Sequence, residues 1–423
     1  MNYRPPMRTE PPAWPLYSLF FLLLGGSYLP ISLVSGMNAY FLVLALVVWG
    51  TRNNPFPKSL WVLLICFSGI IALGLAFGYD NELYPYLKDA WYFINPVGVI
   101  LVGYSFGALT PRLSQALRLL VIAGLILASL HLAKFAINPN LLSLPATEVR
   151  ALAGNGNFVV GLTCAFLIAS IGRWREMLAI RPIFGWIVLL LCGASITLAY
   201  SRTLVLVVLV FWTALRGLML GSRFVKLGAA VIVGLALLGA LAASLPPASE
   251  AGKKTFTGKM LRSAQELTIA DYRDQQSIND NFRGFETARA YKDYVDGGVL
   301  RWLGGRGFGH FVDLGVYLFL GDGPMRYIPV LHNGMLYVLV KTGALGLILY
   351  LVSFGWLFRR GAVAARSVDP DERFAGLIVQ GAVAVSLLTS WLIAGPFNKT
   401  ALVSVLLLLG FCLSIVERKE WKR

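Results

Sequence analysis

Apolar runs and short polar breaks alternate along nearly the whole chain. Runs near 16–34, 38–50, 60–77, 92–109, 117–137, 156–171, 183–200, 204–220, 227–245, 329–358, 374–394 and 401–416 predict about twelve membrane-spanning helices. Roughly 20 consecutive apolar residues are what a helix needs to cross a hydrocarbon core. The second run is short for a span and the tenth is long, which marks those two for a kink, re-entrance or shifted ends. The expected architecture is an all-α integral membrane protein. Residues 1–15 form a cytoplasmic tail, 16–245 hold nine spans, 246–328 form one large, partly helical outer loop, 329–416 hold the last three spans, and 417–423 form a second cytoplasmic tail.

Composition supports that pattern: 57% of the 423 residues are hydrophobic and 14% are charged, so the bilayer is the solvent of most of the chain. A net charge of +16 invites a nucleic-acid reading. The placement of the charges redirects it. Connections on one side of the expected spans carry Arg52 and Lys58, Arg173, Arg175 and Arg181, Arg216, Arg223 and Lys226, and Arg359, Arg360, Arg366 and Arg373. The short connections on the other side hold only Lys88, Lys134, Arg150, Arg202 and Lys399. Such asymmetry makes the basic side cytoplasmic, with both termini on it, and the charge faces anionic lipid rather than DNA or RNA. The opening MNYRPPMRTEPPAWP has no small-residue cleavage site and reads as a tail before an uncleaved first span. Cys66, Cys164, Cys192 and Cys412 all fall inside apolar runs without a CxxC spacing, which argues against metal or redox chemistry.

The segment 246–328 is the only long polar stretch. Its basic and acidic residues nearly balance, and it carries Phe282, Phe285, Tyr291, Tyr294, Trp302, Phe308 and Phe311, so it is expected to be ordered. A helix is predicted from Phe282 to Val295, with an apolar stripe through Phe282, Phe285, Ala288 or Arg289, and Lys292, and a stop at Gly297-Gly298. The glycines at 304, 305, 307 and 309 predict a tight reversal that lets backbone amides approach an anion. Polar residues then stand at membrane boundaries, where they are functional candidates by default: Ser201-Arg202-Thr203 between two spans, and His332 and Asn333 at the head of the tenth. Lys341, deeper in that run, fits either a cavity-facing charge or a buried ion pair.

Four pieces of the sequence carry a resemblance to a known family. They are Tyr200-Ser201-Arg202-Thr203, Arg283 at the head of RGFETARAYKDY, the run Gly304-Gly305-Arg306-Gly307-Phe308-Gly309, and His332-Asn333-Gly334-Met335-Leu336 followed by Gly343 and Gly346. In order and spacing the chain resembles the O-antigen ligase and polymerase superfamily of membrane glycosyltransferases. The resemblance implies a GT-C-like fold in the bacterial inner membrane with its active site on the periplasmic face. It implies an undecaprenyl-diphosphate-linked O-antigen as donor and the lipid A core as acceptor, in lipopolysaccharide biosynthesis, with no nucleic acid and no cofactor.

By this resemblance His332 is the catalytic residue, either as a base, since a neutral imidazole accepts a proton near neutral pH, or as the group that positions the acceptor. Arg202 and Arg283 are the first candidates for the donor diphosphate, and Arg289, Arg306 and Arg326 the second. A guanidinium binds phosphate oxygens in pairs and keeps its charge at a low-dielectric boundary. Ser201, Gly307, Gly309 and Asn333 support the motifs. No DxD-like run offers a Mg²⁺ site, so an inverting transfer without metal is expected. Ligase and polymerase share a donor; the shortness of the outer connections 78–91 and 138–155 favours a ligase. A transporter is the distant alternative, disfavoured because the spans hold almost no ionisable groups and show no internal repeat.

Overall fold

In a hydrocarbon core no water satisfies the backbone, so each apolar run has to pair its own N–H and C=O groups as a helix. The computed structural model describes residues 13–28, 57–110, 112–154, 156–178, 180–223, 281–320, 323–397 and 402–418, with a few single positions beside them. The apolar helices are α1 (Trp14–Tyr28), α2 (Lys58–Phe77), α3 (Leu83–Leu109), α4 (Leu113–Ile137), α5 (Phe158–Ala169), α6 (Pro182–Leu198) and α7 (Arg202–Leu215). After the loop helices α8 (Phe282–Val295) and α9 (Gly298–Gly304) come strands β1 (Val312–Leu320) and β2 (Gly323–Ile328). The chain then returns as α10 (Gly334–Ala364), α11 (Pro370–Leu392) and α12 (Val403–Glu417).

Helices α2, α3, α4, α10 and α11 are long and apolar enough to cross a membrane, and α1, α5, α6, α7 and α12 are shorter apolar helices. The expected spans 38–50 and 227–245, and most of the loop before 281, lie outside the described residues. One boundary moves substantially. Helix α3 begins at Leu83 rather than near residue 92, so Lys88 and Asp89 stand on its first two turns instead of in a connection.

Helix α12 is buried along its whole length, packed on α3 and α11. Close approach of α3 and α12 depends on missing side chains, as expected where lipid supplies no hydrophobic drive between helices. A Cβ at Gly103 would overlap the Leu407 carbonyl, and one at Gly410 the Ile100 carbonyl. Above this contact the rings of Phe93, Phe308, Tyr337 and Phe397 meet, with Phe93 4.7 Å from Phe397 and 5.0 Å from Phe308 between centroids. Phe308 is a loop residue, so this cluster fastens the loop to the bundle.

The long tenth span is kinked, as its length suggested. Gly343 has φ 69° and ψ −173° within α10, a conformation that costs other residues about 1–3 kcal/mol. A Cβ there would also run into the Leu303 carbonyl at the end of α9. Gly343→Ala should therefore lower the thermal unfolding temperature of the purified protein. An unchanged melt would mean that this contact does not hold the kink.

The described residues are mostly helical, as expected, and the loop adds one small hairpin. Helix α8 occupies the predicted Phe282–Val295, but its buried residues are Gly284, Phe285, Glu286 and Ala290, not a stripe running on to Lys292. Strands β1 and β2 pair antiparallel, Val312 opposite Ile328 and Phe319 opposite Pro324. The physical reason is a period-two alternation that a search for helical periodicity passes over: Val312, Leu314 and Leu318 are buried between more exposed neighbours.

Candidate active site

The chain leaves β2 at Ile328 and enters α10 through a capped turn. Asn333 is the N-cap, its Oδ1 accepting the Leu336 N–H at 3.0 Å. The Gly334 N–H donates to the Ile393 carbonyl at 3.1 Å, which seats the head of α10 on the end of α11. His332 stands just before this cap, and Glu286 of α8 holds it twice. Its main-chain N–H donates to Glu286 Oε1 at 3.0 Å, and its Nδ1 lies 2.9 Å from Oε2. The Phe282 ring meets the imidazole edge-on at 5.7 Å.

With Glu286 ionised and the imidazole neutral, the carboxylate would accept the Nδ1–H and the other ring nitrogen, Nε2, would keep its lone pair. Glu286 is 2% exposed whereas the His332 side chain is 48% exposed. A buried carboxylate orienting a half-exposed imidazole is the arrangement a general base requires.

The candidate arginines fall into different surroundings. Arg283 lies on α8 three residues before Glu286 and so on the neighbouring part of the same helix face, half-buried. Arg202 opens α7, whose N-cap is Ser201 with Oγ accepting the Leu204 N–H at 3.4 Å. The chain turns into that cap through Tyr200 at φ 47°, a left-handed backbone uncommon outside glycine. Helix α7 packs on α5 and α11, and α11 packs on α10.

Arg289 lies over the Phe285 ring at 5.3 Å and beneath Gly315 of the hairpin. Arg306 donates to the Asp293 carbonyl at 2.5 Å, with the Asp293 carboxylate 3.5 Å away. Arg326 is bidentate to Asp313, both bonds 2.8 Å. Arg283 thus shares a helix with Glu286, while Arg306 and Arg326 are engaged with aspartates of the loop.

The glycine run departs from its expected role. Its amides already have acceptors: Arg306 donates to Val340 O, Gly307 to Lys341 O, Phe308 to Gly74 O and Gly309 to Asp89 Oδ2. Gly307 and Gly309, at φ 84° and 83°, let the backbone press against α2 and α3, where a Cβ on Gly307 would overlap the Gly78 backbone. The anion that the run approaches is internal. Asp89 accepts from Gly309 at 2.7 Å, from the Tyr337 hydroxyl at 2.5 Å and from Lys341 Nζ at 2.6 Å. Lys341 also donates to the His310 carbonyl. Lys341 is therefore half of a buried ion pair.

Sequence reasoning missed Glu286 and Asp89. For Glu286 a signal was present: it is four residues from Phe282 and next to Phe285, so any helix burying those rings buries Glu286 with them. Among the described residues no three His, Cys, Asp or Glu side chains gather as a metal site would need. No family model matches the chain, and no curated protein matches it.

Proposed function

We propose that this chain is an inner-membrane glycosyltransferase of the O-antigen ligase type, with about twelve spans in a GT-C-like arrangement and its active site on the periplasmic face. The observation that carries the reading is the Glu286–His332 pair at the outer head of α10, with the ring's Nε2 directed away from the carboxylate. A lipid-linked glycan already carries a good leaving group, so the protein has to remove the acceptor's proton and receive the departing diphosphate.

In this reading His332 Nε2 takes the proton of a lipid A core hydroxyl as that oxygen attacks the anomeric carbon. The bond from that carbon to the diphosphate oxygen breaks, and its electron pair leaves with undecaprenyl diphosphate. Attack from the opposite side inverts the anomeric centre. Arg283, on the helix that supplies Glu286, and Arg202 hold the developing charge through fixed guanidinium forks, a task that needs no metal.

The test is transfer by purified protein in nanodiscs from an undecaprenyl-diphosphate-linked glycan to lipid A core. Wild type should form the product, and His332→Ala and Arg283→Ala should each lose activity by about 10²-fold or more while staying folded. Elongation of the lipid-linked glycan in place of transfer would assign a polymerase. No glycan chemistry from wild type would overturn the reading.

A further inference from the structure

Helix α8 carries a second carboxylate on the face that bears Glu286. Asp293 lies two turns on, about 10 Å along the axis, with the fully buried Ala290 between them. Like Glu286 it meets a histidine: Asp293 Oδ2 is 2.7 Å from His310 Nε2. Arg306 grips it from another side, donating to its main-chain carbonyl at 2.5 Å and bringing the guanidinium to 3.5 Å from Oδ1. A cap on the last turn of α8 would account for the bond to the carbonyl. It does not account for a carboxylate shared with an imidazole.

Both partners of Asp293 stand on a frame fixed to the bundle. Arg306 and His310 bracket the glycine run, whose backbone is bound on three sides. The Arg306 N–H donates to the Val340 carbonyl of α10, the Phe308 N–H to the Gly74 carbonyl of α2 and the Gly309 N–H to Asp89 of α3, while Lys341 holds the His310 carbonyl. The start of α8 is less secured: its N-cap, Asn281, makes no capping bond with its side chain. Helix α8 is thus held on this face by Glu286 and by Asp293, and the second of these is tied through the glycine run to α2, α3 and α10.

The consequence reaches His332. Glu286 meets the main-chain N–H of that residue at 3.0 Å and its Nδ1 at 2.9 Å. A slide or rotation of α8 by about 1 Å takes such contacts out of hydrogen-bond range, and a displacement of that size costs a reaction about 10²-fold. We propose that Asp293 is a positioning residue: clamped by His310 and Arg306, it sets the register of α8 so that Glu286 meets both nitrogens of His332. The effect on transfer rests on the glycosyltransferase reading, whereas the effect on the His332 ring does not.

The chain has three histidines, His131, His310 and His332, so the full chain labelled with ¹⁵N-histidine in nanodiscs gives three imidazole patterns, assigned with His→Gln variants. Spectra are recorded at a pH where the rings are neutral, and transfer is assayed on the same samples. Wild-type His332 should show a single Nδ1-protonated form. Asp293→Ala should turn it into a mixture of tautomers while His131, paired with Ser195 in the bundle, stays unchanged. The same variant should lower kcat for transfer about 10²-fold at a donor KM near that of wild type. Asp293→Asn, whose amide oxygen still accepts from His310, should restore the wild-type pattern and most of the rate. A wild-type ring already mixed, a His332 pattern unmoved in folded Asp293→Ala, or equal losses of rate in the Ala and Asn variants would each overturn the proposal. So would a ring that changes while transfer does not. If Asp293→Ala does not fold, His310→Ala is read in its place against the same outcomes, since it keeps both Arg306 contacts. Wild type that transfers glycan while the variant's ring stays unmoved sinks the clamp alone. A ring that responds in the variant when wild type transfers nothing sinks the ligase reading and leaves the clamp standing.

Discussion

Glu286→Gln is expected to slow glycan transfer by about 10²- to 10⁴-fold, the range that a positioned general base contributes. The carboxylate accepts two hydrogen bonds from one residue, the main-chain N–H and the Nδ1–H of His332. Glutamine offers one oxygen and one NH₂, so it can accept only one of them. If its oxygen keeps the main-chain N–H, the NH₂ faces Nδ1 and drives the ring proton to Nε2, which removes the lone pair that would take the acceptor's proton. If its oxygen keeps Nδ1, the main-chain N–H meets another donor and the turn into α10 shifts. Either result lowers kcat while leaving the KM for the lipid-linked donor near that of wild type, because Glu286 is buried behind the ring. Steady-state kinetics at varied donor concentration separates this from Arg283→Ala, for which the donor KM should rise as well. A Glu286→Gln enzyme as fast as wild type would remove His332 from the proton path.

Single residues show how far the sequence could be read. The apolar runs placed most of the helices within a few residues, since period and length alone decide whether a segment of this composition is helical. Phe282–Val295 was legible for the same reason, and so was the peculiarity of the tenth span that Gly343 explains. His332 stood out as a polar residue at a membrane boundary, and that logic could not supply its partner. Glu286 and His332 are 46 positions apart, and Lys341 and Asp89 are 252 apart, so both pairings exist only once the bundle has closed. The hairpin was missed although Gly321-Asp322-Gly323 at the junction of the strands is a tight-turn signal, because the alternation of β1 is interrupted by a register shift between Asp313 and Leu318. The glycine run was recognised as permissive backbone. Whether its amides served an outside anion or the fold itself depended on Gly74, Val340 and Lys341, which no local pattern reveals.

Asp89 and Lys341 carry the largest stability effect expected in this protein. Removing one member of a buried ion pair strands the other and costs roughly 3–5 kcal/mol. The two single variants should not be equal. Lys341→Met leaves the Asp89 carboxylate with two donors, the Tyr337 hydroxyl and the Gly309 N–H. Asp89→Leu leaves a buried ammonium with the His310 carbonyl, and it strips Tyr337 and Gly309 of their shared acceptor, each at about 1–3 kcal/mol. Asp89→Leu should therefore melt below Lys341→Met, and the double variant should melt above Asp89→Leu because it removes the stranded charge. It should stay below wild type, because the Tyr337 hydroxyl and the Gly309 N–H remain without their acceptor. Apparent melting temperatures in one detergent at one scan rate give this order, and the double-mutant cycle isolates the pair's coupling. If the single variants melt with wild type, the pair is not the strut between α3, α10 and the glycine run. If instead the double variant regains stability but not transfer, the hydrogen bond from Gly309 to Asp89 matters for holding the loop in its working position over the bundle.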